Sequence, residues 1–217
     1  MVNILERLGH QVDYPSGQTC CGQPAFNSGY FQEARDVADH FVKTFSNCDL
    51  IGVPSGSCTA MVRKFYPELY QDTDRSEEVG QLAERVFEFS ELLVDKLGIT
   101  DVGATLAGTA TYHDGCHGLR ELGIKDAPRK LLENVKGLSI VEMDESQSCC
   151  GFGGTFAVKF PQISTAMAQV KLGSAKQTNA DFLVSGDPSC LMQIKGYFGR
   201  QKSPIECLHI AEVLDRT

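Results

Sequence analysis

The sequence predicts an α/β protein with parallel strands, arranged as two pseudo-symmetric βαβ-type repeats with cysteine loops at the strand C-terminal ends. Two observations predict this class. Short apolar segments alternate with helical stretches, a pattern typical of right-handed βαβ units. A cysteine pattern also occurs twice: Cys20-Cys21-Gly22 returns as Cys149-Cys150-Gly151, and Cys58 returns as Cys190, at offsets of 129 and 132 residues. Matches in the same order indicate a tandem duplication.

The second copy, which we place at 99–217, is the more regular one. Its helical segments have apolar residues on one face, and its strands are short and mostly apolar. Each cysteine follows a predicted strand and precedes a helix, so in a parallel sheet all of them lie along one edge, where helix N-termini favour thiolates. The predicted elements are a strand at 110–113 before Cys116, a helix at 126–135, a strand at 138–143 before Cys149-Cys150, a helix at 162–178 and a strand at 181–185 before Cys190.

The first copy, at 1–98, repeats this plan from its middle onward. Its opening strand and the cysteine that would follow have no counterpart, since the repeat offsets place them 13 to 16 positions ahead of the numbered chain. We expect the first copy to lack its N-terminal strand and one ligand. The remaining predicted elements are strands at 11–14 and 50–53, a helix at 30–45 and a long linking helix at 77–97.

Composition limits the possible partners. The 217 residues are 42% hydrophobic and 22% charged, values typical of a globular protein rather than a disordered one. Twenty Lys and Arg against 28 Asp and Glu give a net charge of -8, which argues against nucleic acid or anionic membranes as partners. No apolar run approaches a membrane span and no export signal opens the chain. We therefore expect a cytoplasmic protein.

Nine cysteines in a reducing compartment indicate metal or redox chemistry rather than disulfides. The second copy supplies Cys116, Cys149, Cys150 and Cys190, the four thiolates that a [4Fe–4S] cluster requires. Zinc also accepts four thiolates, but adjacent cysteines suit one zinc ion poorly, and the short knuckle spacing of structural zinc sites is absent. We prefer a cluster, with zinc as the alternative. The first copy offers three thiols: Cys20, Cys21 and Cys58.

Several residues around the cysteines are candidate cluster contacts. Glycines let the backbone approach a cluster and donate N–H groups to its sulfurs, although such turns are common in α/β proteins. His113 can hydrogen-bond to cluster sulfide or carry a proton, or it can simply pack. The unrepeated Cys48 and Cys207, the latter expected in a C-terminal helix, are predicted to be buried small hydrophobes. The glycines concerned are Gly22, Gly151, Gly153 and Gly154.

The longer motifs resemble a known family. Cys20–Tyr30, Pro54–Cys58, Tyr112–His117 and Ser148–Phe156 are similar to the duplicated cysteine-rich (CCG) domain of the superfamily that contains heterodisulfide reductase and the iron–sulfur subunit of glycolate oxidase. Within it, the lactate utilization protein A family is most similar, including the ending His209–Leu214. The resemblance spans about residues 1–215.

This resemblance implies an iron–sulfur subunit of a three-protein system that oxidises L-lactate to pyruvate. The partners it implies are a ferredoxin-like iron–sulfur subunit and a third lactate utilization protein. By position, Cys116, Cys149, Cys150 and Cys190 would ligate one cluster, and Cys20, Cys21 and Cys58 part of a second. Relatives with a Cys-x-x-Cys in the last motif hold a noncubane cluster, and here that motif has one cysteine, so cluster type stays open. The alternative functions are a cluster-dependent thiol/disulfide catalytic subunit similar to heterodisulfide reductase, and a redox-inert, zinc-stabilised interaction module.

Overall fold

The computed structural model describes residues 1–217 and is a mixed α/β structure with two parallel sheets. A two-stranded sheet pairs β1 with β2. A four-stranded sheet has the order β4-β3-β5-β6. The predicted α/β class with parallel strands is thereby confirmed. The strands are β1 Ile51–Val53, β2 Val86–Glu88, β3 Thr105–Tyr112, β4 Lys136–Ile140, β5 Phe182–Ser185 and β6 Glu206–His209.

Thirteen α-helices connect and flank these strands, and none is long and apolar enough to cross a membrane. Two π-helical segments, Met61–Phe65 and Leu92–Lys96, continue helices α4 and α7. The helices are α1 Val2–Arg7, α2 Gln23–Asn27, α3 Phe31–Phe45, α4 Gly56–Ala60, α5 Tyr66–Tyr70, α6 Ser76–Ala83, α7 Phe89–Glu91, α8 Cys116–Leu122, α9 Asp126–Glu133, α10 Phe156–Lys159, α11 Pro161–Gln177, α12 Pro188–Arg200 and α13 Ile210–Leu214.

The amphipathic helices form where the apolar spacing predicts them. α3, α9 and α11 match the predicted helices at 30–45, 126–135 and 162–178. α3 turns Ala34, Ala38, Phe41, Val42 and Phe45 inward, at the i, i+4, i+7 spacing of one helix face. Strands predicted at 50–53 and 181–185 are present as β1 and β5.

Three predictions were wrong, and one predicted strand has shifted bounds. No strand forms at 11–14, where the backbone is irregular and has no strand beside it to pair with. The linking helix at 77–97 is interrupted by β2, because pairing of Val86 with Ile51 and burial of the Val86 side chain outweigh local helix propensity. Cys207 lies in β6 rather than in a C-terminal helix. β4 begins two residues before the predicted 138–143 strand and ends at Ile140.

The largest buried cluster joins sequence-distant elements. It contains Ile4 and Leu5 of α1, Leu92 and Leu93 beyond α7, and apolar side chains of β3, α9 and α13. A second cluster lies under α3 and α5, and a third lies between α11, α12 and β5. The third cluster includes Cys150 and Cys190, so the cysteine loops rest directly on packed core.

Candidate metal centre

Four cysteines that are distant in sequence meet beyond the C-terminal ends of three parallel strands. Cys116 begins α8 after β3, Cys190 lies in the first turn of α12 after β5, and Cys149 and Cys150 occupy the loop between β4 and α10. Neighbouring thiols shift one another's pKa: Cys116 and Cys149 act on each other, as do Cys149 and Cys150, and Cys190 acts on Cys150. The topology therefore gathers these four sulfur atoms into one cluster, which we call the second cysteine set.

The contacts within this set polarise the thiols. Hydrogen bonds from Cys116 and Cys150 hold the pKa of Cys149 well below its usual range. The same thiol contacts, together with burial, raise the pKa of Cys116 and of Cys150. The N–H of Gly151 also donates to the Cys149 sulfur at 3.4 Å. The Cys149 thiolate is thus stabilised by the protons of the neighbouring thiols. A metal cation that binds here can take the place of those protons.

A histidine completes the surroundings of this set. His113 follows β3, is fully buried, and has no hydrogen-bond partner on either ring nitrogen. A ring nitrogen of His113 and the sulfurs of Cys150 and Cys190 all lie within 4.8 Å of one another. Burial lowers the pKa of His113 to about 3, which keeps the imidazole neutral. Because buried polar atoms are normally paired, the orphaned ring fits a site for a metal or an iron–sulfur cluster.

The first cysteine set is smaller and consists of Cys20, Cys21 and Cys58. The Cys21 thiol donates to the Cys58 sulfur at 3.3 Å, a contact that lowers the pKa of Cys58 to about 7 and raises that of Cys21. Cys20 is exposed, and its sulfur accepts a hydrogen bond from Gly22 N–H at 3.4 Å. Cys48 lies outside both sets and is only half-buried, whereas Cys207 is buried as predicted.

The two Cys-Cys-Gly loops share the same backbone conformation at their glycine. Gly22 and Gly151 both have a left-handed φ, of 83° and 87°, and each N–H donates to the sulfur of the first cysteine of its pair. A Cβ at Gly151 would stand 2.7 Å from the Ser164 carbonyl oxygen of α11, so only glycine fits there. Gly153 and Gly154 also have positive φ, and their contact with a cluster stays a prediction.

A buried carboxylate connects the two cysteine sets. Asp187 accepts a hydrogen bond from Ser189 N–H of its own helix at 3.1 Å and one from Ser57 N–H of α4 at 2.8 Å. Beside it, α4 and α8 approach so closely that a Cβ on Gly56 would lie 3.0 Å from Gly118 Cα. The helices that carry Cys58 and Cys190 are thus joined through backbone and carboxylate contacts.

The model of a family described as the CCG "Cysteine-rich domain" matches residues 1–63 and 110–195, which include both cysteine sets. The chain belongs to the CCG cysteine-rich domain family. Among its relatives are proteins named "Lactate utilization protein A" from Geobacillus sp. (strain WCH70), Oceanobacillus iheyensis and Bacillus subtilis (strain 168). They are 48%, 46% and 46% identical to this chain over 215 residues, which cover 99% of the chain and 90%, 88% and 90% of the relatives.

In this member of the CCG family, three residues near the cysteines were not predicted from the sequence to belong to the site. Arg129 forms a bidentate ion pair with buried Asp114, at 2.8 and 2.9 Å, two residues before Cys116. Lys171 is fully buried in α11. Asp187 had a local signal, because an Asp directly before a Pro is a common helix start. Arg129 and Lys171 had none, since each lies in an ordinary amphipathic segment.

Proposed function

We propose that this protein is the iron–sulfur electron-transfer subunit of a complex that oxidises L-lactate to pyruvate. One observation carries the proposal: Cys116, Cys149, Cys150 and Cys190 all follow the C-terminal ends of parallel strands, and the Cys150 and Cys190 sulfurs lie within 4.8 Å of a ring nitrogen of the buried, unpaired His113. Relatives named for lactate utilization cover nearly the whole chain and supply the substrate class.

The second cysteine set would hold a [4Fe–4S] cluster through its four thiolates, with His113 and the N–H groups of Gly151, Gly153 and Gly154 around it. When bound, such a cluster accepts and releases one electron at a time. The chain's own contribution is to collect the thiolates, supply Gly151 N–H to sulfur, and cover the site with the apolar side chains that pack against Cys150 and Cys190. Cys20, Cys21, Cys58 and Gly22 would form part of a second site.

The partners we propose are a ferredoxin-like iron–sulfur subunit and a third lactate utilization protein, all in the cytoplasm. Because this chain shows no flavin or nicotinamide motif, the two-electron oxidation of lactate would take place on a partner. We also propose that the chain consists of two CCG repeats, 1–98 and 99–217. The family match supports this, because it falls in two separate segments that each contain one cysteine set.

The test is anaerobic reconstitution of the purified chain with ferrous iron and sulfide, followed by iron, sulfide and zinc analysis and visible spectroscopy. We expect iron and sulfide in equal amounts and the broad visible absorption of an iron–sulfur cluster. Purified protein that retains zinc and takes up neither iron nor sulfide would instead identify a redox-inert, zinc-stabilised module.

The Cys21–Cys58 contact favours a second candidate, a thiol/disulfide catalytic subunit. With sulfurs 3.3 Å apart, these thiols are close to disulfide formation. In this reaction they would lose two electrons and two protons to form a disulfide, and the substrate disulfide would gain both to give two thiols. This candidate predicts that the isolated chain turns over a disulfide substrate in the presence of a reductant, whereas the electron-transfer proposal predicts that it does not.

A further inference from the structure

Helix α11 carries a buried cation that has no carboxylate partner. Lys171 has no exposed surface and takes part in none of the ion pairs of the structure. Its ammonium group donates only to the backbone carbonyls of Glu145 and Ser146. Burial of an ammonium group that lacks a counter-anion is strongly unfavourable, so the position of Lys171 requires an explanation.

The two carbonyls that Lys171 contacts belong to the framework of the second cysteine set. Glu145 and Ser146 lie in the same loop as Cys149 and Cys150, and the Ser146 carbonyl also accepts the N–H of Asp114 at 3.0 Å, two residues before Cys116. The ammonium group therefore contacts the loop after β4 at the point where that loop is hydrogen-bonded to the loop after β3.

The groups around Lys171 include no carboxylate that is both buried and free to pair with it. Burial lowers the pKa of Lys171 to about 8, and the opposing influences, in order, are Cys150, Glu145, Cys190 and Asp114. The Glu145 side chain is exposed to solvent, and Asp114 is already paired with Arg129. Of these neighbours, the thiols of Cys150 and Cys190 remain, and they would carry negative charge once they bind a metal centre as thiolates.

We propose that Lys171 is the counter-cation of the centre held by the second cysteine set, a positioning residue that tunes its charge. This inference rests on the proposed function, because four thiolates on an iron–sulfur cluster give the site a net negative charge. A fixed positive charge nearby stabilises the reduced form, which carries one more negative charge, relative to the oxidised form.

The experiment compares Lys171→Met, which keeps an unbranched side chain one atom shorter and removes its charge, with Lys176→Met, an exposed position of the same helix. Both variants and the parent chain are reconstituted with iron and sulfide and titrated by EPR-monitored reduction. We expect Lys171→Met to lower the ratio of reduced to oxidised centre at a fixed potential at least tenfold, which is about 59 mV for one electron. The ratio in Lys176→Met should stay within twofold of the parent.

A thermal melt of the metal-free forms separates the charge role from a structural one. If Lys171 serves the centre, metal-free Lys171→Met should melt at or above the parent temperature, because a buried charge has been removed. If its bonds to the two carbonyls are what matters, the metal-free variant should melt lower or fail to fold, and either result overturns the proposal.

The remaining outcomes are also decisive. A folded Lys171→Met that fails to retain the centre, while Lys176→Met retains it, supports the proposal. A parent chain that holds the centre, with an unchanged potential in Lys171→Met, overturns the Lys171 inference and leaves the proposed function intact. A parent chain that takes up no iron or sulfide overturns the proposed function itself.

Discussion

The carboxylate of Asp187 accepts a hydrogen bond from the backbone N–H of Ser57 at 2.8 Å, across 130 residues of sequence. Ser57 directly precedes Cys58, and Asp187 stands three residues before Cys190. The same carboxylate also accepts Ser189 N–H at the start of α12. One buried side chain therefore caps the helix that carries Cys190 and attaches it to α4, the helix that carries Cys58.

Loss of this carboxylate should weaken the whole fold. We expect Asp187→Ala to lower the free energy of unfolding by about 2–4 kcal/mol, because it removes a helix cap and leaves buried Ser57 N–H without an acceptor. Urea denaturation of the metal-free chain measures this. Asp74→Ala, at an exposed position, is the matched control and should change stability by less than about 0.5 kcal/mol. Equal effects at both positions would contradict the bridging role of Asp187.

Individual cysteine substitutions should distinguish cysteines that bind the metal centre from cysteines that do not. We expect Cys190→Ser to lose most of the iron bound on reconstitution, because it removes one thiolate of the second set. Cys207→Ser is the control, since Cys207 is equally buried but lies in β6 and belongs to neither set. Iron and sulfide per chain are the readout. Retention of the full iron content by Cys190→Ser would show that this residue is not a ligand.

The Asp114–Arg129 pair should be a strong stabilising contact. Arg129→Leu leaves the wholly buried Asp114 side chain without its bidentate partner, and removal of one member of a buried pair costs about 3–5 kcal/mol. We expect a loss of that order in denaturant-induced unfolding of the metal-free protein. The exposed Arg120→Leu serves as control. A loss below about 1 kcal/mol for Arg129→Leu would mean that solvent compensates for the missing guanidinium group.

The buried Glu88 should give stability a distinct pH dependence. Burial raises its pKa to about 7, above the unfolded value of about 4.3, so the folded protein binds more protons than the unfolded one between these values. The contribution of Glu88 is therefore present below pH ~4.3 and is lost as pH rises through 7.

We expect Glu88→Gln to gain stability relative to the parent as pH rises from about 4.5 to 7.5, by up to about 3 kcal/mol. The difference between the two proteins is what counts, because the depressed pKa of His113 makes stability rise with pH over part of the same range. Urea unfolding of the metal-free chains at several pH values gives the two curves. Parallel curves for parent and Glu88→Gln would contradict the shifted pKa, and the exposed Glu84→Gln should run parallel to the parent.

Much of the fold and the composition of the site could be predicted from local patterns. Helices such as α3 and α11 follow from the spacing of apolar residues, and β5 from a short apolar run before a turn. The strand-loop-helix order also predicted that Cys116 and Cys190 would lie on the same edge as the Cys149–Cys150 pair. These predictions succeed because helical periodicity and the order of strands, loops and helices can both be recognised in short stretches of sequence.

The sequence by itself therefore determined the α/β class, the set of candidate thiols and the CCG family of this protein. Only the tertiary structure decided that residues 86–88 form a strand, that Asp187 joins both cysteine sets, and that Lys171 is buried without a carboxylate. Each of these depends on a partner supplied by a distant segment: Ile51 for the strand, Ser57 for the carboxylate and the Glu145 carbonyl for the ammonium group. Free energy that arises from such long-range contacts leaves no periodic signal in the chain.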